Sequence, residues 1–220
     1  MIGGIAIFVK TPGRSAVKTR LAAAIGTERA EGFHRLAALS VEAAVRGVAG
    51  VQGYYAVAEP GEAVADWPGL PSLWQGPGGL GERMATVYSE LLRRHRLAFL
   101  IGADVPQVTP EAIGRAVMTV ADQAAPRYVV APSPDGGFWL IGGNRPIPRQ
   151  RWTEVEYSRP TTRLAFMEGL ADLGEVVVAE TLTDVDEAAD LAAVRAALRQ
   201  TLRPTDAQRR LTSFLEAMDG

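Results

Sequence analysis

A chain of 220 residues, 47% hydrophobic and 22% charged, lies within the range that folds around one hydrophobic core and is too apolar to be disordered. Without cysteine, disulfides, thiolate nucleophiles and cysteine-based zinc sites are excluded, and a formal net charge of −2 gives no basic footprint for duplex nucleic acid. The run Ile2 to Val9 is too short to span a bilayer and lacks a basic leader, and no later segment reaches about 18 uninterrupted apolar residues, so the expectation is one cytoplasmic domain over 1–220 that engages neither membrane nor nucleic acid, its oligomeric state open.

Ile5 to Val9 is a strand-length run of β-formers, followed by the loop Lys10 to Leu21 and by helical spacing over Thr27 to Val48 (Phe33, Leu36, Ala37, Val41, Val45), with Thr27 as the expected N-cap. Val51 to Ala58 is the next strand, and the Pro- and Gly-rich passage Pro60 to Pro71 reads as surface loop. Leu80 to His95 is helical after the turn Gly76 to Gly79. Leu97 to Ile101 is apolar without alternation, as in a strand buried on both faces. Thr109 and Pro110 open a helix to about Gln123 as N-cap and first helical residue. Tyr128 to Pro132 and Phe138 to Ile141 flank the turn Pro134 to Gly137, which implies one antiparallel departure. Helices over Thr161 to Leu173, Asp186 to Leu202 and Thr205 to Met218, with a strand at Glu175 to Ala179, complete the chain. Alternating strands and helices predict an α/β fold, a mostly parallel central sheet with helices on both faces, and a ligand site beyond the carboxyl ends of its strands.

Charge is unevenly distributed along this frame. From 1 to 35 there are six basic residues against two acids, whereas from 172 to 190 there are seven acids and no Lys or Arg. Lys10 and Lys18 are the only lysines among 23 basic residues, and both lie in the first loop. An ammonium is a compact, rotatable point charge suited to phosphate, whereas arginine is a planar fork. The loop KTPGRSAVKTRL therefore reads as a polyphosphate site built from Lys10, Arg14, Lys18 and Arg20, although it has neither the glycines of a Walker loop nor those of a dinucleotide fingerprint. A solvated loop without function is the plainer alternative.

Asp104 ends an apolar strand at the same edge, where a carboxylate is a natural magnesium ligand; a turn residue ahead of Pro106 is the alternative. Asp184 and Asp186 are two apart and share a face in extended chain, so both could reach one metal, while Asp186 could equally cap the next helix. Gly136 and Gly137 could bring backbone amides to a substrate or serve a plain hairpin turn. Arg83, at a helix start, could bind an anion or pair locally. His34 and His95 are isolated, with His95 expected at the surface. No Ser/His/Asp set or zinc spacing can be built, and phosphoryl chemistry needs none, since positioning and charge neutralisation supply most of the catalysis.

FVKTPGRSAVKTRLA, LGERM, LIGADVPQVTP, PSPDGGFWLIG and TLTDVDEAADL, in that order, resemble the bacterial DUF2064 group over about Ile5 to Leu191. The Lys-Thr-Arg-Leu element and the Asp-Gly-Gly turn are also similar to 2-phospholactate guanylyltransferase and, more distantly, to molybdenum cofactor guanylyltransferases, whose Gly-Gly-rich first loop is absent here. The resemblance implies a glycosyltransferase-A-like, Rossmann-like nucleotide-diphospho-sugar transferase fold, a triphosphate held by Lys18 and Arg20 with Lys10, and a metal, Mg²⁺ or Mn²⁺, on Asp104 and Asp186. Lys18 and Asp104 are the catalytic candidates, and Lys10, Arg14, Lys18, Arg20, Arg83, Gly136 and Gly137 the candidate nucleotide contacts. The expected partners are a nucleoside triphosphate or nucleotide-sugar and a small anionic acceptor. Three functions fit: nucleotidyl transfer to that acceptor, glycosyl transfer from a nucleotide-sugar, and nucleotide binding without catalysis.

Overall fold

The computed structural model describes residues 2–218. In chain order the elements are β1 (Gly3–Val9), α1 (Thr19–Ile25), α2 (Thr27–Arg46), β2 (Val51–Val57), a 3₁₀ turn (Gly61–Asp66), β3 (Ser72–Trp74), α3 (Leu80–Arg94), β4 (Leu97–Gly102), α4 (Pro110–Ala121), β5 (Arg127–Pro132), β6 (Phe138–Gly143), α5 (Arg149–Thr153), α6 (Thr162–Leu170), β7 (Glu175–Val178), α7 (Asp190–Gln200) and α8 (Asp206–Ala217). The strands form one sheet in the order β3-β2-β1-β4-β6-β5-β7. Among the described residues only β6 runs against its neighbours, β4 and β5; every other pairing is parallel. The carboxyl ends of all six remaining strands therefore meet at one edge, as expected for this α/β class.

The pleat sends alternate side chains to opposite faces. Ile5, Ile7, Phe99 and Val129 pack with Val41 of α2 and Ile113 and Val117 of α4. On the other face Ala6, Leu100, Val130 and Ile141 pack with Tyr88 of α3, Trp152 of α5 and Phe166 of α6. Coverage of both faces explains why β4 shows no polar alternation. A third cluster joins α1, α2, α7 and α8 through Leu21, Phe33, Val194, Leu211 and Leu215. Both edge strands are short, three and four residues, which limits the unpaired backbone offered to other chains.

Several boundaries differ from the sequence expectation. The first loop ends earlier than expected, in the seven-residue helix α1, and Gly26 at φ 88° both ends that helix and precedes α2. Thr27 therefore lies in the first turn of α2 and is not its N-cap. The passage 60–71 is not all surface, because Ala63, Trp67 and Leu70 enter the core. The helix expected from Asp186 starts at Asp190, whose carboxylate accepts hydrogen bonds from the Asp186 and Glu187 amides at 2.9 and 2.8 Å. Asp186 is thus not a cap. Thr109 does cap α4, accepting from the Ala112 amide at 3.2 Å, with Pro110 first in the helix. His95 is half-buried, its Nε2 2.9 Å from the Tyr54 hydroxyl, and not a free surface group. Among the described residues no helix is long and apolar enough to cross a membrane.

Candidate active site

Four segments converge at the carboxyl edge: the loop after β1, Asp104 after β4, the turn 133–137 after β5 and the acidic stretch after β7. β1 and β4 are adjacent, so the first loop and Asp104 are neighbours by topology. The acidic stretch starts at the far edge and returns as an extended strap. Ala179 and Leu182 donate backbone hydrogen bonds to Val130 and Pro132 at 2.9 and 3.1 Å, and Val185 donates to the Asp104 carbonyl at 3.0 Å. Trp139 Nε1 donates to the Glu180 carbonyl at 3.0 Å, and Gln107 Nε2 to that of Thr183 at 2.6 Å. Crossing the ends of β5, β6 and β4, the strap delivers Asp186 beside Asp104.

Lys18 is the hub. Its Nζ donates to Asp104 Oδ2 at 2.7 Å and to Asp186 Oδ1 at 3.2 Å, with its side chain only 8% exposed. Its backbone is left-handed (φ 46°, ψ 48°), a conformation that costs a non-glycine residue about 1–2 kcal/mol and that turns the chain from the loop into α1. Burial works against both charges, yet each holds the other: Lys18 is raised above the usual lysine range by the Asp104 and Asp186 carboxylates, and Asp104 is held below the usual range by Lys18. Asp184 is pushed up to about 7, first by burial and then by the charges of Asp104 and Asp135. Arg20 Nη1 lies 3.6 Å from Asp186 Oδ2 and 3.7 Å from Glu187 Oε1 at the solvent side.

Of the supports of this hub only Glu59 carried a sequence signal of its own. His34 is 6% exposed on α2, its Nε2 2.9 Å from the Lys10 carbonyl and its ring edge-on to Trp67. A carbonyl can only accept, so Nε2 carries the proton. Burial lowers the pKa of this imidazole. Both Glu59 oxygens accept from the Thr11 amide at 3.1 Å, and Trp67 Nε1 donates to Thr11 Oγ1 at 3.1 Å. Gln75 Nε2 ties the ends of β1 and β2 together through the carbonyls of Val9 and Ala56. On the other side Gln208 of α8, 2% exposed, donates to the carbonyls of Pro106 and Val108, both at 3.0 Å. The last helix thereby clamps the loop that carries Asp104. A lone Glu at the end of β2 was the one available hint, since it stands at the same edge as the first loop.

The structure brings together Lys18, Arg20, Asp104 and Asp186, with Asp184 beside them. Arg14 instead pairs with Asp66 at 2.9 Å. Lys10 has an exposed side chain, its carbonyl engaged by His34. Arg83 Nε donates to the Gly78 carbonyl at 2.9 Å, the local pairing weighed for it. The Gly136 amide donates to the Ser133 carbonyl at 3.2 Å and the Gly137 amide to Asp135 Oδ1 at 2.8 Å, so both amides are engaged within the turn, as in the plain hairpin reading weighed for them. Gly136 has a packing reason as well: at φ 92°, an added Cβ would lie 2.1 Å from the Pro160 carbonyl oxygen.

Two carboxylates within 3.2 Å of a single cationic nitrogen form a donor set that suits a hard divalent ion. Among the described residues no group of three His, Asp or Glu is placed to hold a metal. Asp104 and Asp186 are the carboxylates that could hold such an ion, with substrate oxygens completing its shell. Such an ion and the Lys18 ammonium would compete for the same oxygens.

The fold is shared with several solved structures. A protein of Desulfovibrio desulfuricans G20, provisionally called a nucleotide-diphospho-sugar transferase, is similar at 19% identity and TM-score 0.83, over 98% of this chain and 97% of that one. A CMP:2-keto-3-deoxy-manno-octonic acid synthetase complexed with CTP is similar at 15% identity and TM-score 0.58, over 92% and 100% of the two chains. A cytidylyltransferase from Leptospira borgpetersenii serovar Hardjo-bovis gives 9% and 0.59, over 99% and 95%. No curated protein matches in sequence. Residues 55–159, a narrower span than the motifs suggested and one that holds Arg83, Asp104, Gly136 and Gly137 but neither Lys18 nor Asp186, match the model of the DUF2064 family, described as "Uncharacterized protein conserved in bacteria".

Proposed function

We propose that the protein is a metal-dependent nucleotidyltransferase that moves a nucleoside monophosphate from a nucleoside triphosphate to a small anionic acceptor. The observation that carries this reading is the Lys18 ammonium shared between Asp104 and Asp186, three residues from widely separated segments converging where a polyphosphate and its cation would meet. Asp104 and Asp186 would hold Mg²⁺ or Mn²⁺, which when bound supplies charge neutralisation at the phosphates. Lys18 turns from the carboxylates toward phosphate oxygens and stabilises charge on the departing pyrophosphate. Arg20 binds the same oxygens from the solvent side, and Lys10 is free to reach the outer phosphates. The Leptospira neighbour's name and the CTP complex support nucleotide handling on this fold.

Glycosyl transfer from a nucleotide-sugar is a second reading, favoured by the name given to the Desulfovibrio protein. The two differ in the leaving group. Incubation with each nucleoside triphosphate or nucleotide-sugar, Mg²⁺ and a mixture of small anionic metabolites, followed by phosphorus NMR, should give inorganic pyrophosphate from a triphosphate; nucleoside diphosphate released from a nucleotide-sugar would favour the second reading. Asp104→Ala should abolish either reaction while leaving the fold intact.

A further inference from the structure

Beside the Lys18 cluster, at the same edge of the sheet, a cleft of about 540 Å³ opens between the end of β5, the start of α6 and the strap, with Ser133, Asp135, Gly136, Pro160, Arg163 and Thr181 on its walls. Two polar atoms of these walls are buried and without a hydrogen-bond partner among the described residues: Ser133 Oγ and Arg163 Nε. Ser133 is 4% exposed. The Arg163 guanidinium makes one weak contact, Nη1 to the Met167 sulfur at 4.0 Å, and pairs with no carboxylate among the described residues. Elsewhere in the fold most arginines are paired with acids or backbone carbonyls. Buried donors are rarely left unsatisfied, and those that are call for an explanation.

The position of both groups is enforced by the backbone. The Arg163 amide donates to the Gly136 carbonyl at 2.9 Å, locking the start of α6 behind the β5–β6 turn, and the Ser133 amide donates to the Gly137 carbonyl at 3.1 Å. An arginine N–H only donates, and a serine hydroxyl can donate after rotation about χ1. Asp135 supplies the opposite chemistry: its Oδ1 is taken by the Gly137 amide, which leaves Oδ2 as an acceptor on the cleft wall. Ser133, Asp135 and Arg163 line one cleft, and a set of two donor side chains and one acceptor suits a ligand with an oxyanion at one end and a hydroxyl at the other. Thr181 on the wall is three residues from Asp184 along the strap that leads to the proposed polyphosphate site.

We infer that this cleft binds the acceptor, a small hydroxylated oxyanion whose carboxylate or phosphate is held by Arg163 and Ser133 and whose hydroxyl faces Asp135. The inference rests on the nucleotidyl-transfer reading for the word acceptor, but the binding site itself does not. Calorimetric titration of the full chain with D-glycerate and with sn-glycerol 3-phosphate, in separate arms, distinguishes a carboxylate from a phosphate ligand. One of the two should bind the wild type; Arg163→Gln should weaken that binding at least tenfold, Ser133→Ala about threefold, and Arg163→Lys should keep part of it and so control for folding. Arg159→Gln, which removes an exposed charge from the neighbouring segment, should leave binding unchanged. The inference is overturned if neither compound binds the wild type, if Arg163→Gln binds as the wild type does, or if Arg159→Gln loses as much affinity as Arg163→Gln. Binding with this pattern but no binding of any Mg²⁺–nucleotide would overturn the nucleotidyl reading and leave the oxyanion site standing.

Discussion

Lys18 Nζ lies 2.7 Å from Asp104 Oδ2 although the two residues are 86 positions apart, and Asp186 closes on the same nitrogen at 3.2 Å. In the proposed reaction a divalent cation would take the position between two carboxylates that the ammonium occupies, so the two cations would compete for it. Lys18→Met removes the competitor. Mn²⁺ titration of the nucleotide-free protein, followed by electron paramagnetic resonance, should therefore show tighter binding in Lys18→Met than in the wild type, by about tenfold for roughly 1.4 kcal/mol of relieved competition. Equal or weaker Mn²⁺ binding would mean that Lys18 and the metal do not share oxygens.

Glu59 holds the first loop from the end of β2. Burial alone would raise its pKa, but hydrogen bonds from the Ser15 hydroxyl and from Thr11 outweigh burial and leave it below the usual glutamate range. A depressed carboxyl stabilises the fold above its unfolded pKa, about 4.3, and that contribution is lost as the pH falls through the folded value. Glu59→Gln should cost on the order of 1 kcal/mol at pH 7, and the difference from the wild type should shrink below about pH 4. Urea denaturation at pH 7 and at pH 3.5 measures both. A gap that stays constant across that range would detach the effect from the carboxylate.

Gly136→Ala places a methyl group 2.1 Å from the Pro160 carbonyl oxygen at a φ of 92°. Backbone, not a flexible side chain, is the obstacle, so the turn or the start of α6 must move. A loss of about 1–3 kcal/mol is expected, read as a lower urea midpoint with unchanged slope. Asp135, one residue away, can be replaced by Asn, which keeps an acceptor for the Gly137 amide and should cost little stability.

Gln208 joins the last helix to the loop that carries Asp104. Gln208→Leu leaves the carbonyls of Pro106 and Val108 buried without their donor, and about 2 kcal/mol of stability should be lost. Hydrogen exchange should accelerate in residues 104–109 before it does in β4. Faster exchange confined to α8, with 104–109 still protected, would show that the clamp does not act on the site.

The elements legible in the sequence were those with an uninterrupted apolar run or a helical spacing bounded by turn and capping residues: β1, β4, β5, β6, α3 and α4 lie where those signals put them. The missed ones are short. α5 spans five residues and exists because Trp152 packs on Tyr88 and Phe166, a contact with no local trace. α1 depends on the left-handed Lys18 and on Gly26. The position of Lys18 and Asp104 in the loops that follow β1 and β4 could be read, because charge at the carboxyl edge of a parallel sheet is a pattern visible in one dimension. That Asp186 crosses from the far edge to reach Asp104 could not, since the strap is pinned by backbone hydrogen bonds between distant segments. His34, Glu59 and Gln208 act through contacts that only the fold creates.

The most direct test is calorimetric titration of ATP, GTP, CTP and UTP, each with excess Mg²⁺, into the wild type, Asp104→Asn and Asp186→Asn. At least one nucleotide should bind the wild type in a Mg²⁺-dependent manner, and each substitution should weaken it tenfold or more while the melting temperature shows the protein folded. Binding that is indifferent to both substitutions, or no binding of any of the four, would contradict a metal-bound polyphosphate between the first loop and the acidic strap.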